Sequence, residues 1–120
     1  MRIAGLIAVL IFLAGCDREL QRAPVVAGGD AGRGRQAAQD LDCGACHVIP
    51  GVRGARGGAA VPLEAFARRI YIAGRWPNQP PELVRFLVDP PSAGGHTLMP
   101  SLTRDESVAR DLAAFLYTLQ

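Results

Sequence analysis

The chain has 120 residues, a formal net charge of +2 and 49% hydrophobic side chains, which bounds it to a single domain after any leader is removed. All 13 basic side chains are arginines and none forms a run, so no nucleic-acid surface is indicated. With 14 glycines and 9 prolines, short helices joined by long loops are expected, and no convincing strand pattern appears.

Met1-Arg2 is a short basic start, and Ile3 to Ala14 is almost wholly apolar. That run is too short for a spanning helix, which needs about 20 residues. It fits the apolar core of a secretory signal. Leu13-Ala14-Gly15-Cys16 then reads as a lipobox, so residues 1–15 are expected to be a lipoprotein signal peptide and Cys16 the lipidated first residue. The alternative is an ordinary secretory signal with an incidental cysteine. Residues 16–29 read as lipid anchor and flexible tether, with Pro24 breaking any helix. Residues 30–120 form the expected folded domain, too small to build a generous core by itself.

Asp30 is the predicted N-cap of a helix running to about Leu41. Val48 to Val61, rich in glycine, is a predicted loop. Pro62-Leu63-Glu64 is predicted to open a short helix through about Tyr71, with a turn over Gly74 to Asn78. Pro80-Pro81-Glu82 opens another, with Leu83, Phe86 and Leu87 on one face and Pro90-Pro91 ending it. Thr103 and Glu106 have capping-box spacing before a terminal helix whose apolar stripe is Leu112, Phe115, Leu116 and Leu119.

Between the first helix and the glycine-rich loop stands Cys43-Gly44-Ala45-Cys46-His47. C-x-x-C-H is the attachment signature of a c-type haem. Two thiols one turn apart suit addition to the two vinyl groups, and the adjacent imidazole can reach the iron. A redox dithiol is the main alternative. A zinc site is weaker, because only two histidines and no second cysteine pair are present. Lipid on Cys16 and one haem on Cys43 and Cys46 would account for all three cysteines, and the apo-chain is expected to fold poorly.

What sits opposite His47 decides between electron transfer and chemistry. Met99 is the one methionine left after signal removal, and it lies in a proline-bracketed loop before the terminal helix. Thioether ligation raises the reduction potential and closes the second axial position. His96 is the competing ligand.

In this order — a glycine-bearing helix, Cys43-Gly44-Ala45-Cys46-His47, a glycine-rich loop, then Met99-Pro100 before Asp111-Leu112-Ala113-Ala114-Phe115-Leu116 — the chain resembles a class I monohaem cytochrome c, of a bacterial lipoprotein branch. Arg69-Ile70-Tyr71-Ile72-Ala73-Gly74 and Pro77-Asn78 resemble the same branch. The resemblance implies an all-α fold wrapped around one haem c, with His47 and Met99 axial. It implies a backbone carbonyl, of Val61 or Pro62, accepting from the proximal imidazole, and places Tyr71, Trp76 and Asn78 where propionate donors often stand. It also implies a crossing of the terminal helices at Gly34, here without an aromatic at Ala37 or Ala38 facing Phe115.

The expected function is a membrane-tethered one-electron carrier and not an enzyme. It would sit on the periplasmic side of the inner membrane, with the outer-membrane leaflet as the other site. Its expected partners are redox proteins, such as a dehydrogenase, an oxidase or another cytochrome, met as a monomer or as a complex subunit. The alternatives are a haem subunit of an oxidase or dehydrogenase, and a haem enzyme or gas sensor with a displaceable Met99.

Overall fold

Asp30 starts the first helix in the computed structural model, which describes residues 23–91 and 97–120. Its carboxylate accepts from the Arg33 N–H at 2.7 Å, satisfying one donor that the first turn leaves over. Helix α1 is Ala31–Asp40, and it closes with the Leu41 N–H on the Ala37 carbonyl and the Asp42 N–H on the Gln39 carbonyl. The predicted signal peptide, Cys16, the tether up to residue 22 and His96 lie outside the described residues.

Helix α2, Pro80–Val88, has both prolines in its first turn and buries Leu83, Val84, Phe86 and Leu87. Pro90, just past its end, is itself fully buried. Helix α3 is Glu106–Leu116. Its cap differs from the predicted Thr103. Asp105 accepts from the Ser107 N–H at 2.8 Å, while the Thr103 hydroxyl accepts from the Asp105 N–H at 3.1 Å and forms the turn before it. A carboxylate next to the first turn also meets the positive end of the helix, which the hydroxyl does not. The predicted stripe of Leu112, Phe115, Leu116 and Leu119 is buried, Leu119 beyond the helix end.

The predicted helix over 62–71 does not form. Only a 3₁₀ turn, Phe66–Arg68, appears, and Ala65 before it is left-handed at φ 51°. Its backbone groups bond elsewhere. The Ala67 N–H donates to the Leu119 carbonyl at 2.9 Å, and the Asn78 amide donates to the carbonyls of Phe66 and Arg69, both at 3.0 Å. Tyr71 and Ile72 then form strand β1, Tyr71–Ile72, which pairs antiparallel with β2, Trp76–Pro77. The turn between them has Ala73 and Gly74 at positive φ, 49° and 69°, the mirror-image geometry that suits a tight hairpin. The described chain is thus mostly helical, with three α-helices and this small sheet.

α1 crosses α3 at Gly34. A Cβ there would overlap the Asp111 carbonyl and come within 2.8 Å of the Phe115 Cβ, so the helices meet backbone to backbone where only glycine fits. Asp111, 8% exposed, pins the crossing. It accepts from Arg33 through Nε at 2.7 Å and Nη2 at 2.8 Å, and from the Asp30 N–H at 2.7 Å. The Arg33 guanidinium holds its carboxyl below the usual carboxylate range. Beyond α3, Tyr117 packs its ring 6.0 Å from that of Phe66 and donates its hydroxyl to Asn78 Oδ1 at 3.1 Å.

Candidate haem-attachment site

Leaving α1, the chain reverses at Asp42, left-handed at φ 54°, into a 3₁₀ turn over Cys43–Ala45. The N–H groups of Cys46 and His47 both reach the Cys43 carbonyl, at 3.3 and 3.1 Å. The two cysteines and the histidine therefore share one tight turn. Neither cysteine is in a disulfide. Cys43 is half-buried against the core, and that burial pushes its thiol up from its ordinary value. Cys46 is exposed.

The glycine-rich loop lies along this turn rather than away from it. The Gly57 N–H donates to the Gly44 carbonyl at 3.0 Å, the Ala60 N–H to Cys46 at 3.0 Å and the Leu63 N–H to Val48 at 2.8 Å. Two glycines make the approach close enough. A Cβ on Gly44 would stand 2.6 Å from the Ala55 Cα, and one on Gly57 would stand 2.5 Å from the carbonyl carbons of Ala45 and Cys46. Gln39 of α1 holds the loop's far end, donating to the Arg53 carbonyl at 3.1 Å and accepting from the Arg53 N–H at 3.0 Å.

The lacing brings Val61 to His47. Nδ1 lies 2.7 Å from the Val61 carbonyl oxygen. A carbonyl only accepts, so Nδ1 is the donor, and in the neutral ring Nε2 carries the lone pair. Nε2 has no hydrogen-bond partner among the described residues. Of the two predicted acceptors, Val61 is the one used; the Pro62 carbonyl is taken by the Arg69 guanidinium.

The other candidates are placed as follows. Met99 is half-buried and packs against the core, with its N–H donating to Thr97 Oγ1 at 3.1 Å. Its segment is tied to the end of α2 by a 3.1 Å bond from Ser101 Oγ to Asp89. Tyr71 is exposed. Trp76 is stacked by two guanidiniums, Arg85 at 4.6 Å and Arg75 at 5.5 Å from its ring centre. Asn78, which the resemblance places among the propionate donors, is engaged within the chain. Both its amide hydrogens go to backbone carbonyls and its oxygen accepts from Tyr117, so it fastens the hairpin to the C-terminus.

Among the described residues, the large apolar side chains left exposed are Val25, Val61, Ile70, Tyr71, Leu98 and Leu102. All but Val25 come from the segment that supplies the His47 acceptor or the one that carries Met99. No group of three or more His, Cys, Asp or Glu able to hold a metal ion assembles among the described residues. No protein-family model, curated protein or solved structure matches the chain.

Proposed function

We propose that this chain is a membrane-tethered one-electron carrier with a single covalent haem c, in a class I cytochrome c arrangement. The observation that carries the reading is the His47 ring. Its Nδ1 is fixed by a main-chain carbonyl at 2.7 Å and its Nε2 is left with a lone pair and no partner, one turn from two unjoined thiols. That donor set fits a haem, with Cys43 and Cys46 as thioether sites, His47 as proximal ligand and Met99 as the opposite ligand. When bound, the haem iron supplies reversible ferric–ferrous exchange.

The chain's own residues do the rest. Val61 orients the imidazole and increases its donor strength. The exposed apolar side chains of 61–71 and 98–102 offer apolar surface that a porphyrin would cover. The competing readings fit less well. A redox dithiol needs a thiol made acidic by its surroundings, whereas burial pushes Cys43 the other way. A structural zinc needs four side-chain ligands, and the described residues bring no three together. Once residues 1–15 are removed, residues 16–29 supply the anchor and tether to the periplasmic face of a membrane, and the partners are redox proteins.

The test is the mass and the visible and near-infrared spectrum of the matured oxidised protein. Covalent pigment and a weak sulfur-to-iron charge-transfer band are expected, the band lost in Met99→Ala and kept in His96→Ala. A mass of bare chain, or chain plus lipid alone, overturns the haem. Loss of the band in His96→Ala but not in Met99→Ala reverses the ligand assignment.

A further inference from the structure

Residues 23–29, expected in the flexible tether, are described and lie on the folded domain. Ala23 packs against the core, and Val26 enters it, 7% exposed. Gly28, at φ 74°, turns the chain, and the Gly29 N–H closes that turn on the Val26 carbonyl at 3.1 Å. Gly29 then passes so near α3 that a Cβ on it would stand 2.5 Å from the Arg110 carbonyl oxygen. The Arg110 guanidinium reaches back to the Ala27 carbonyl at 3.4 Å. A buried valine, a closed turn and close backbone approach at Gly29 make this stretch a strap against α3, not slack chain.

The strap decides how much leash is left. From Cys16 to Ala23 a chain reaches at most about 25 Å, whereas from Cys16 to Asp30 it would reach about 50 Å. A domain of about 100 residues is roughly 34 Å across. Turning it over, so that the point opposite the strap meets the bilayer, takes a path of about 44 Å, a quarter of the way round the domain and then straight down. A leash free over 16–29 would allow that inversion, and one that ends at Ala23 does not. The C-x-x-C-H turn follows the far end of α1 from the strap, about 15 Å along the helix axis.

We propose that the strap sets how the domain stands on its membrane. It shortens the leash below the length needed for inversion, so the C-x-x-C-H turn is kept on the side away from the bilayer. There it meets redox partners that arrive from the water, not centres lying at the membrane surface. The inference rests on the anchored reading of Cys16, and the haem reading enters only through the kind of partner.

The experiment uses the matured full chain in phosphatidylcholine nanodiscs made with and without a nitroxide-headgroup lipid. The difference in amide signal between the two discs is read residue by residue. Loss is expected at 23–29, with the C-x-x-C-H turn and the loop after it spared. A Gly-Ser insert of about seven residues between Arg22 and Ala23 restores the longer reach without touching the domain, and should spread the loss to the turn. Equal loss at the strap and the turn of the parent overturns the proposal. So does a pattern that the insert leaves unchanged, which would mean that surface affinity and not leash length orients the domain. Hydrogen exchange checks the strap itself: the Gly29 amide should exchange slowly, and exchange as fast as in an open chain overturns the proposal as well. A mass without lipid breaks the anchored reading separately, and a mass without pigment breaks the haem reading while the orientation result stands.

Discussion

The α1–α3 crossing and the segments around His47 are held by different means. At the crossing, side chains do the work: Gly34 admits Asp111 and Phe115, and a buried carboxylate gathers Arg33 and the Asp30 N–H. Around His47 the main chain does it, with Gly57, Ala60 and Leu63 laced onto Gly44, Cys46 and Val48. The first region buries its apolar side chains within the chain. The second leaves Val61 in solvent, as the segments 70–71 and 98–102 leave Ile70, Tyr71, Leu98 and Leu102. One region closes on its own side chains, and the other is held by its backbone.

That contrast can be broken most severely at Gly34. Gly34→Ala puts a Cβ into the Asp111 carbonyl, and the helices must separate. A loss of about 3 kcal/mol or more is expected, read as a lowered denaturant midpoint; an unchanged midpoint would mean the crossing is not the anchor of the fold. Gly57→Ala is the matching change on the other side. Its Cβ would meet the Ala45–Cys46 backbone and lift the loop from the motif, so the fraction of chain carrying covalent pigment should fall several-fold. Gly58→Ala, whose Cβ has open space, is the control and should mature normally.

Two titrations sharpen the same comparison. Burial pushes the Tyr117 hydroxyl up to about 12. The unfolded chain releases that proton near pH 10 and the folded chain does not, so the contribution is intact below 10 and is lost as pH rises through 12. The loss is about 2–3 kcal/mol, and Tyr117→Phe should flatten the alkaline slope. Asp111 behaves in the opposite sense. Its folded value is depressed by Arg33, so its contribution is present above the ordinary carboxylate value and fades as pH falls through the depressed one. Arg33→Gln should weaken this acid dependence modestly, because the guanidinium stands largely in solvent. An acid midpoint that does not move would assign the slope to other carboxylates.

The helices were legible because their signals are local. Asp30 as a cap, paired prolines before Glu82 and the spacing of Leu112, Phe115 and Leu116 each act within a turn or two. The stretch from Pro62 to Tyr71 misled because its backbone partners are distant: Leu119 takes the Ala67 N–H and Asn78 takes two carbonyls. The Arg33–Asp111 pair joins residues 78 apart in sequence and carried no local mark. In the site, the C-x-x-C-H turn was plain, and so was the need for an acceptor near residue 61. The choice of Val61 over Pro62 depended on where Arg69 reaches, which no spacing records. Gly57 was visible only as a loop former and Gly44 only as a residue between the cysteines, while their contacts make them spacers between two layers of backbone.

The Val61 carbonyl has an evolutionary corollary. An acceptor that belongs to the main chain cannot be deleted by replacing a side chain, so position 61 is free to drift among residue types. What cannot drift is the count of residues between His47 and that oxygen. Removing one residue from the stretch 58–60 would deprive the imidazole of its brace as surely as mutating the histidine's neighbour never could.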